Sequence, residues 1–327
     1  MPMALGGMST ADTSTGGIST QVTVVIATRN RQEQLLRTLA QLSAPPDRPA
    51  LVVVDNASSD GTPGAVARDF PDAVVLALPF NSGAAGRTLG ARLASTSYVA
   101  FSDDDSWWAG GALSAAADVL RADPAVGLLA GHILVGPDAE DDPTSQLMAD
   151  GPLDEWLRRC PEGRRGVTGF LACAAIVRRD AFLAVGGFDQ HLLVGGEEEL
   201  VALNMAHAGW KLVYSPEVVA HHHPPPRPDD RGRRRTLVRN DLLTAWLRYS
   251  TPTVLRRSRR ALRGAIPAAS QWRALGAALR LGPWALARRA PVDRVVERAF
   301  APPSNGHGSD RQTSRAVQPR ATPRLNR

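Results

Sequence analysis

The sequence predicts an α/β fold with a largely parallel sheet, and three observations carry that expectation. Short apolar, β-branched runs alternate with stretches of helical spacing, the crossovers between them are short, and each early run ends in a polar cluster. Residues 22–27, Val-Thr-Val-Val-Ile-Ala, form a run of the kind buried on both faces of a sheet. Leu35, Leu36 and Leu39, with Leu42 one turn on, follow at helical spacing. A second strand over 51–54 ends at Asp55, and a third covers 74–78. A helical stretch over about 84–95 leads to a strand at 98–102, which ends in three aspartates. Beyond residue 110 come an Ala-rich helix, a strand near 126–135 and an acidic loop at 136–155. Residues 167–177 are apolar. Residues 197–208 read as a helix stopped by Gly209, and 210–214 as a strand. His221-His222-His223 and three prolines close this part of the chain, and residues 234–290 look helical and basic.

Composition sets the outer limits. The 327 residues suit one large domain with an appendage, and 43% hydrophobic residues supply a sizeable core. No apolar run reaches the roughly 18–20 residues of a membrane-spanning helix, and no secretion signal opens the chain, so a cytoplasmic protein is expected. Two cysteines, Cys160 and Cys173, make neither a disulfide framework nor a zinc site; Cys173, in its apolar run, reads as a buried thiol. The net charge of +6 hides a division. Residues 1–223 carry 15 Lys+Arg against 26 Asp+Glu, whereas residues 224–327 carry 23 against 6. The expected organisation is a disordered leader (1–20), an acidic catalytic domain (21–223), a basic helical extension (224–300) and a disordered tail (301–327).

Ligands of parallel sheets gather at the carboxyl ends of the strands. The polar clusters Thr28-Arg29-Asn30, Asp55-Asn56, Asn81-Ser82-Gly83 and Asp103-Asp104-Asp105 all fall there. Three adjacent aspartates call for a counter-charge, and a divalent cation supplies it. Carboxylate oxygens suit Mg²⁺ or Mn²⁺. In an extended segment Asp103 and Asp105 share one side and Asp104 takes the other, so the i, i+2 pair is the natural clamp. The competing reading is a solvated acidic turn, which the apolar strand before it and Trp107-Trp108 after it disfavour.

Four successive segments, 22–31, 52–62, 81–87 and 98–105, resemble the signatures of family 2 glycosyltransferases of the GT-A fold. Gly-Gly-Phe-Asp (186–189) and Gly-Glu-Glu-Glu-Leu (196–200), running to Ala-Gly-Trp (208–210), resemble that family's acceptor-side segment. Together they cover about residues 21–240. The resemblance implies a mostly parallel mixed sheet flanked by helices. It also implies a metal-dependent, inverting transfer from a nucleotide-diphosphate sugar to an acceptor hydroxyl, in the range of cell-envelope glycan or glycoconjugate synthesis. Thr28, Arg29 and Asn30 would line the nucleotide pocket, with Asp104 beside them. Asp55 would accept a hydrogen bond from the base, which favours UDP or dTDP and leaves GDP open; a turn cap is its other reading. Asn81, Gly83 and Arg87 would border the ribose and diphosphate, and Asp103 and Asp105 would hold the metal. The family's general base is an aspartate, and Glu198 takes its position, one methylene longer; Glu197 would touch the acceptor and Glu199 would be structural. Thr88 stands where the family more often has Asn. A histidine completes many such metal sites, and among the three here His221 is the expectation.

In the basic region, Val254, Leu255, Leu262 and Ile266 interleave with Arg256, Arg257, Arg259, Arg260 and Arg263 at helical spacing. This fits a helix on the inner face of an anionic membrane, where a lipid-linked acceptor would reside. A solvated helix, or one docked on the acidic body, competes. No nucleic-acid motif accompanies the charge, so no nucleic acid is expected. Two other functions compete: a sugar-phosphate nucleotidyltransferase, which wants a glycine-rich loop where this chain has Thr28-Arg29-Asn30-Arg31, and a non-catalytic membrane-surface module.

Overall fold

β1 (Val22–Thr28) is the strand from which the sheet grows, and six of its seven residues are buried. It pairs in parallel with β2 (Ala50–Asp55) on one side and β4 (Tyr98–Ser102) on the other. β3 (Val74–Ala77) extends β2 in parallel. The computed structural model describes residues 21–44, 46–150, 164–225, 231–265 and 269–301. The expected leader, all of the expected tail except Ala301, Cys160 and Ile266 lie outside these residues.

Past β4 the sheet becomes mixed. β9 (Ala175–Arg178) runs antiparallel between β4 and β6 (Val126–Val135). β6 pairs in parallel with β10 (Lys211–His222), and β5 (Ser106–Trp108) closes the edge antiparallel to β10. The order is β3-β2-β1-β4-β9-β6-β10-β5, with β7 (Glu140–Asp141) on β6 and β8 (Arg165–Gly166) on β10. The long ladders are parallel and the antiparallel ones are two or three pairs long.

Helices cover both faces. On one, α1 (Gln32–Leu42) buries Leu35, Leu39 and Leu42, and α4 (Ala112–Ala122) buries Leu113 and Leu120, against Val24, Ile26 and Val53. On the other, α3 (Ala85–Leu93) lies against β1 and β2, near enough that a Cβ at Gly90 would overlap a Val25 methyl. α7 (Glu197–His207) packs Val201, Leu203 and Met205 into the same layer as Val25, Val54 and Phe101.

The basic extension shares this core. α8 (Arg231–Arg248) buries Leu243 and Leu247 against Leu192 and Leu200, together with Ala285 of α11 (Gly282–Ala287). Tyr249, Val292 and Val296 of α12 (Arg294–Ala299) belong to the cluster that contains Val25 and Phe101. α9 (Thr251–Ala265) and α10 (Ala269–Arg280) lie outside α8. Among the described residues, no helix is long and apolar enough to cross a membrane.

Candidate active site

The polar ends of β1, β2 and β4 meet at one place. Asp55, at the end of β2, is 1% exposed. Its Oδ2 accepts the Ser58 N–H at 2.9 Å, and its buried Oδ1 has no partner among the described residues. A buried acceptor oxygen held this way calls for a donor N–H. The neighbouring Asn56 ties the next loop to β2: its Oδ1 accepts from the Ser82 N–H (2.9 Å) and hydroxyl (2.7 Å), and its amide donates to the Gly83 carbonyl (3.3 Å). Asn81 Oδ1 accepts the Gly83 N–H at 2.9 Å. Gly83 has φ 59° and abuts Leu193, where a Cβ would stand 2.8 Å from the Leu193 backbone. The Ala84 N–H donates to the Leu193 carbonyl at 2.8 Å, so the loop before α3 and the loop before α7 are joined through backbone.

Of the residues after β1, Thr28 donates its hydroxyl to Asp104 Oδ2 at 3.0 Å. Asn30, at φ 52°, donates its N–H to Ser58 Oγ and accepts the Ser59 N–H, both at 2.8 Å. It thereby shapes the turn beside Asp55. Arg29 is exposed at the rim.

The acidic triplet is a turn and not the extended segment expected, because Ser106 N–H closes back on the Asp103 carbonyl at 3.2 Å. Each carboxylate therefore takes its own direction. Asp103 forms an ion pair with Arg87, which is 8% exposed. Asp104 faces Thr28 and, at 3.6 Å, Arg31. Asp105, 4% exposed, lies 3.7 Å from Arg31 and 3.3 Å from His222 Nε2. Burial raises the Asp104 carboxyl to about 6; Arg31 opposes the rise and Asp105 adds to it.

Of the three histidines it is His222, and not the expected His221, that faces the acidic turn. β5 and β10 pair His221 with Trp107 and His222 with Ser106. The His221 ring stacks on Trp107 at 5.5 Å between centroids, and His223 packs on the same indole at 4.6 Å. Strand alternation then turns His222 to the other face, towards Asp105. Trp107, His221 and the largely buried Trp108, 5% exposed, line a cleft of about 220 Å³ with Gln41, Pro49 and Gly110.

The donor set fits a hard divalent cation. Ligand atoms of Asp103, His222 and Cys173 lie within 4.8 Å of one another, and Asp105 adjoins His222. Cys173 is buried, and burial followed by the charge of Asp103 raises its thiol well above the usual range, so it stays protonated. Carboxylates and an imidazole remain, which suit Mg²⁺ or Mn²⁺.

The three glutamates that open α7 diverge as successive helix positions must. Glu197 is 2% exposed and accepts the Gly195 N–H. Burial, then repulsion from Glu198, raises its carboxyl to about 8. Glu198 is half-buried and also raised, chiefly by burial. Arg87 lowers both, and between them and Asp103 its own guanidinium is held above its usual range although burial works against it. Glu199 turns away to Tyr249 Oη (2.7 Å) and Arg257 (2.9 Å). The sequence alone assigns no role to Arg31 or Asn56. Both lie inside or beside its motifs, yet their partners are distant in sequence.

A mixed α/β sheet with its polar groups gathered at the strand ends, and an acidic turn there facing a buried arginine, is the GT-A architecture of sugar-nucleotide transferases. The family profile "Glycosyl transferase family 2" matches residues 23–186, and the chain belongs to that family. N-acetylglucosaminyl-diphospho-decaprenol L-rhamnosyltransferase of Mycobacterium tuberculosis is 29% identical over 232 residues, 61% of this chain and 75% of the relative. The mannosyltransferase PcManGT of Pyrobaculum calidifontis, solved with GDP-Man and Mn²⁺, superposes with a TM-score of 0.51 at 23% identity. That match covers 85% of this chain and 73% of the other. TarS 1-349 of S. aureus, solved with UDP-GlcNAc, gives 0.51 at 16% identity, covering 82% and 84%. The solved structures share the fold, and the family makes the protein a glycosyltransferase.

Proposed function

We propose that this glycosyltransferase uses a divalent cation to transfer a sugar, with inversion, from a nucleotide-diphosphate donor to a hydroxyl of a lipid-linked acceptor. The observation that carries it is the position of His222, whose ring lies within 4.8 Å of an Asp103 oxygen and 3.3 Å from Asp105, beside Arg87 and the loops that orient Asp55. Asp55 Oδ1 would accept the ring N–H of uracil or thymine; the N–H of guanine is of the same kind. Arg87 would give up part of its pairing with Asp103 to the diphosphate. Bound Mg²⁺ or Mn²⁺, held by Asp103, Asp105 and His222, would neutralise charge on the departing diphosphate. Glu198 would take the proton of the attacking hydroxyl, and its raised pKa makes it a better base than an ordinary carboxylate. Attack opposite the leaving nucleotide inverts the anomeric carbon. Glu197, sealed against Gly195, would set the charge that Glu198 feels and has little access to an acceptor.

The relative in Mycobacterium tuberculosis is named for L-rhamnosyl transfer to a diphospho-decaprenol glycan. A deoxyhexose donor on dTDP and a polyprenyl-diphosphate acceptor are therefore the first pair to assay. A thermal-shift screen of nucleotide sugars should find the donor, since a ligand at 100 times its Kd adds about 2.7 kcal/mol to the folded state. Transfer should require Mn²⁺ or Mg²⁺. Full activity in excess EDTA would overturn the metal role, and nucleotide binding without transfer to any acceptor would overturn the catalytic reading.

A further inference from the structure

α9 and α10 repeat one pattern. Leu255-Arg256 and Leu262-Arg263 on α9, and Trp272-Arg273 and Leu279-Arg280 on α10, are apolar–arginine dyads. Within each helix the second dyad follows the first by about two turns. All eight side chains are exposed, Leu255 by 50%, Leu262 by 46%, Trp272 by 52% and Leu279 by 67%. Neither helix contains an acidic residue. The opposite faces are occupied. On α9, Arg257 pairs with Glu199 (2.9 Å) and Asp241 (2.7 Å) and lies over the Tyr249 ring at 4.2 Å. On α10, Leu275 and Ala278 are buried with Leu242 of α8.

Four large apolar side chains, each next to an arginine, thus stand exposed on two helices that both pack on α8. Apolar side chains flanked by arginines suit the boundary between lipid headgroups and acyl chains. There the leucine and indole enter the apolar layer and the guanidinium stays among phosphates. The 23 cations against 6 acids of residues 224–327 fix the sign of the partner. We propose that the outer faces of α9 and α10 form a docking surface for an anionic lipid bilayer. The purpose, delivery to a lipid-linked acceptor, rests on the function proposed above; the binding itself does not. Arg257 makes the surface relevant to catalysis, because it fastens α9 to Glu199, the residue after the proposed base.

The full chain should co-sediment with vesicles of phosphatidylcholine and phosphatidylglycerol at low salt, should ignore phosphatidylcholine alone, and should be released as salt rises. The variant Arg263→Glu/Arg273→Glu/Arg280→Glu should lose at least about tenfold in partition, and Leu262→Ser/Trp272→Ser should lose binding while keeping its charge. Both should keep the unfolding midpoint and donor hydrolysis of the parent, which separates lost docking from a lost fold. Absence of vesicle binding at low salt, equal binding to neutral vesicles, or parental binding by both variants would overturn the proposal. Retention on duplex DNA without vesicle binding would do the same. A protein that binds vesicles yet transfers no sugar would leave this surface standing and remove the proposed function.

Discussion

His222 Nε2 stands 3.3 Å from Asp105 Oδ1, across the junction of β5 and β10. Its neighbour His221 is stacked on Trp107 instead. Replacing the two should therefore have unequal effects. His222→Ala should raise the Mn²⁺ concentration for half-activation by on the order of 10–100-fold, as losing a metal contact does. His221→Ala should leave that concentration nearly unchanged. Titration of activity with Mn²⁺ decides it, and the reverse order would return the role to His221.

Asp55→Asn tests the buried acceptor. Asn can keep the Ser58 N–H on its oxygen, but then it presents an NH₂ where the free Oδ1 now lies. A donor would face a donor, so nucleotide-sugar binding should weaken by about 10–100-fold, in the range of an unsatisfied buried pair. The unfolding midpoint should barely move. Calorimetric binding of the diphosphate nucleotide reads the difference, and unchanged affinity would make Asp55 a turn cap.

The raised carboxyls of Glu197 and Glu198 give activity and stability opposite slopes with pH. With Glu198 as the proposed base, transfer draws on its ionised form, so kcat should climb with pH as the pair titrates. Stability runs the other way. A carboxyl whose folded pKa is above its unfolded value binds its proton more tightly in the folded state, so its contribution is full below the unfolded value. It is lost as pH rises through the folded one. For Glu197 that window spans the ordinary carboxylate range to about 8. Glu197→Gln should therefore gain stability over the parent progressively through this window and match it in acid. Denaturation at three pH values checks this, and a gain confined to low pH would refute the assignment. Glu198→Gln should lose at least about 100-fold in kcat, with donor affinity little changed.

Gly83→Ala should damage both fold and donor binding. A methyl there meets the Leu193 backbone at 2.8 Å in a left-handed conformation, so the cost should be about 1–3 kcal/mol. Chemical denaturation measures it, and a variant of parental stability would show that the two loops separate easily.

The sequence was most informative where one strand carried its own signal. β4 and β6 fall where their apolar runs place them, and the polar clusters at the ends of β1, β2 and β4 do converge. Short antiparallel pieces were not visible. β5 and β9 are three and four residues long and become strands only through neighbours distant in the chain. The histidines alternate sides as a strand requires, with His221 and His223 on Trp107 and His222 opposite, but which side meets the aspartates was not legible. β10 changes register between Ser215 and Val219, so alternation cannot be counted from residues 210–214 to the histidines. The divergence of the three glutamates followed from helix geometry alone, but the partners of Glu199, Tyr249 and Arg257, come from a region whose arginines hid its contribution to the core.

The bond from the Ala84 N–H to the Leu193 carbonyl, at the point where Gly83 leaves no space for a side chain, makes one hinge of two walls. Donor phosphates would press on the 81–87 segment. The acceptor would enter beside 193–198. With no slack between them, displacement of one wall is handed directly to the other. Substrates should then add in a fixed order, donor first, and product nucleotide should leave last. Initial-rate kinetics with a dead-end nucleotide would show it as competition against donor and mixed inhibition against acceptor.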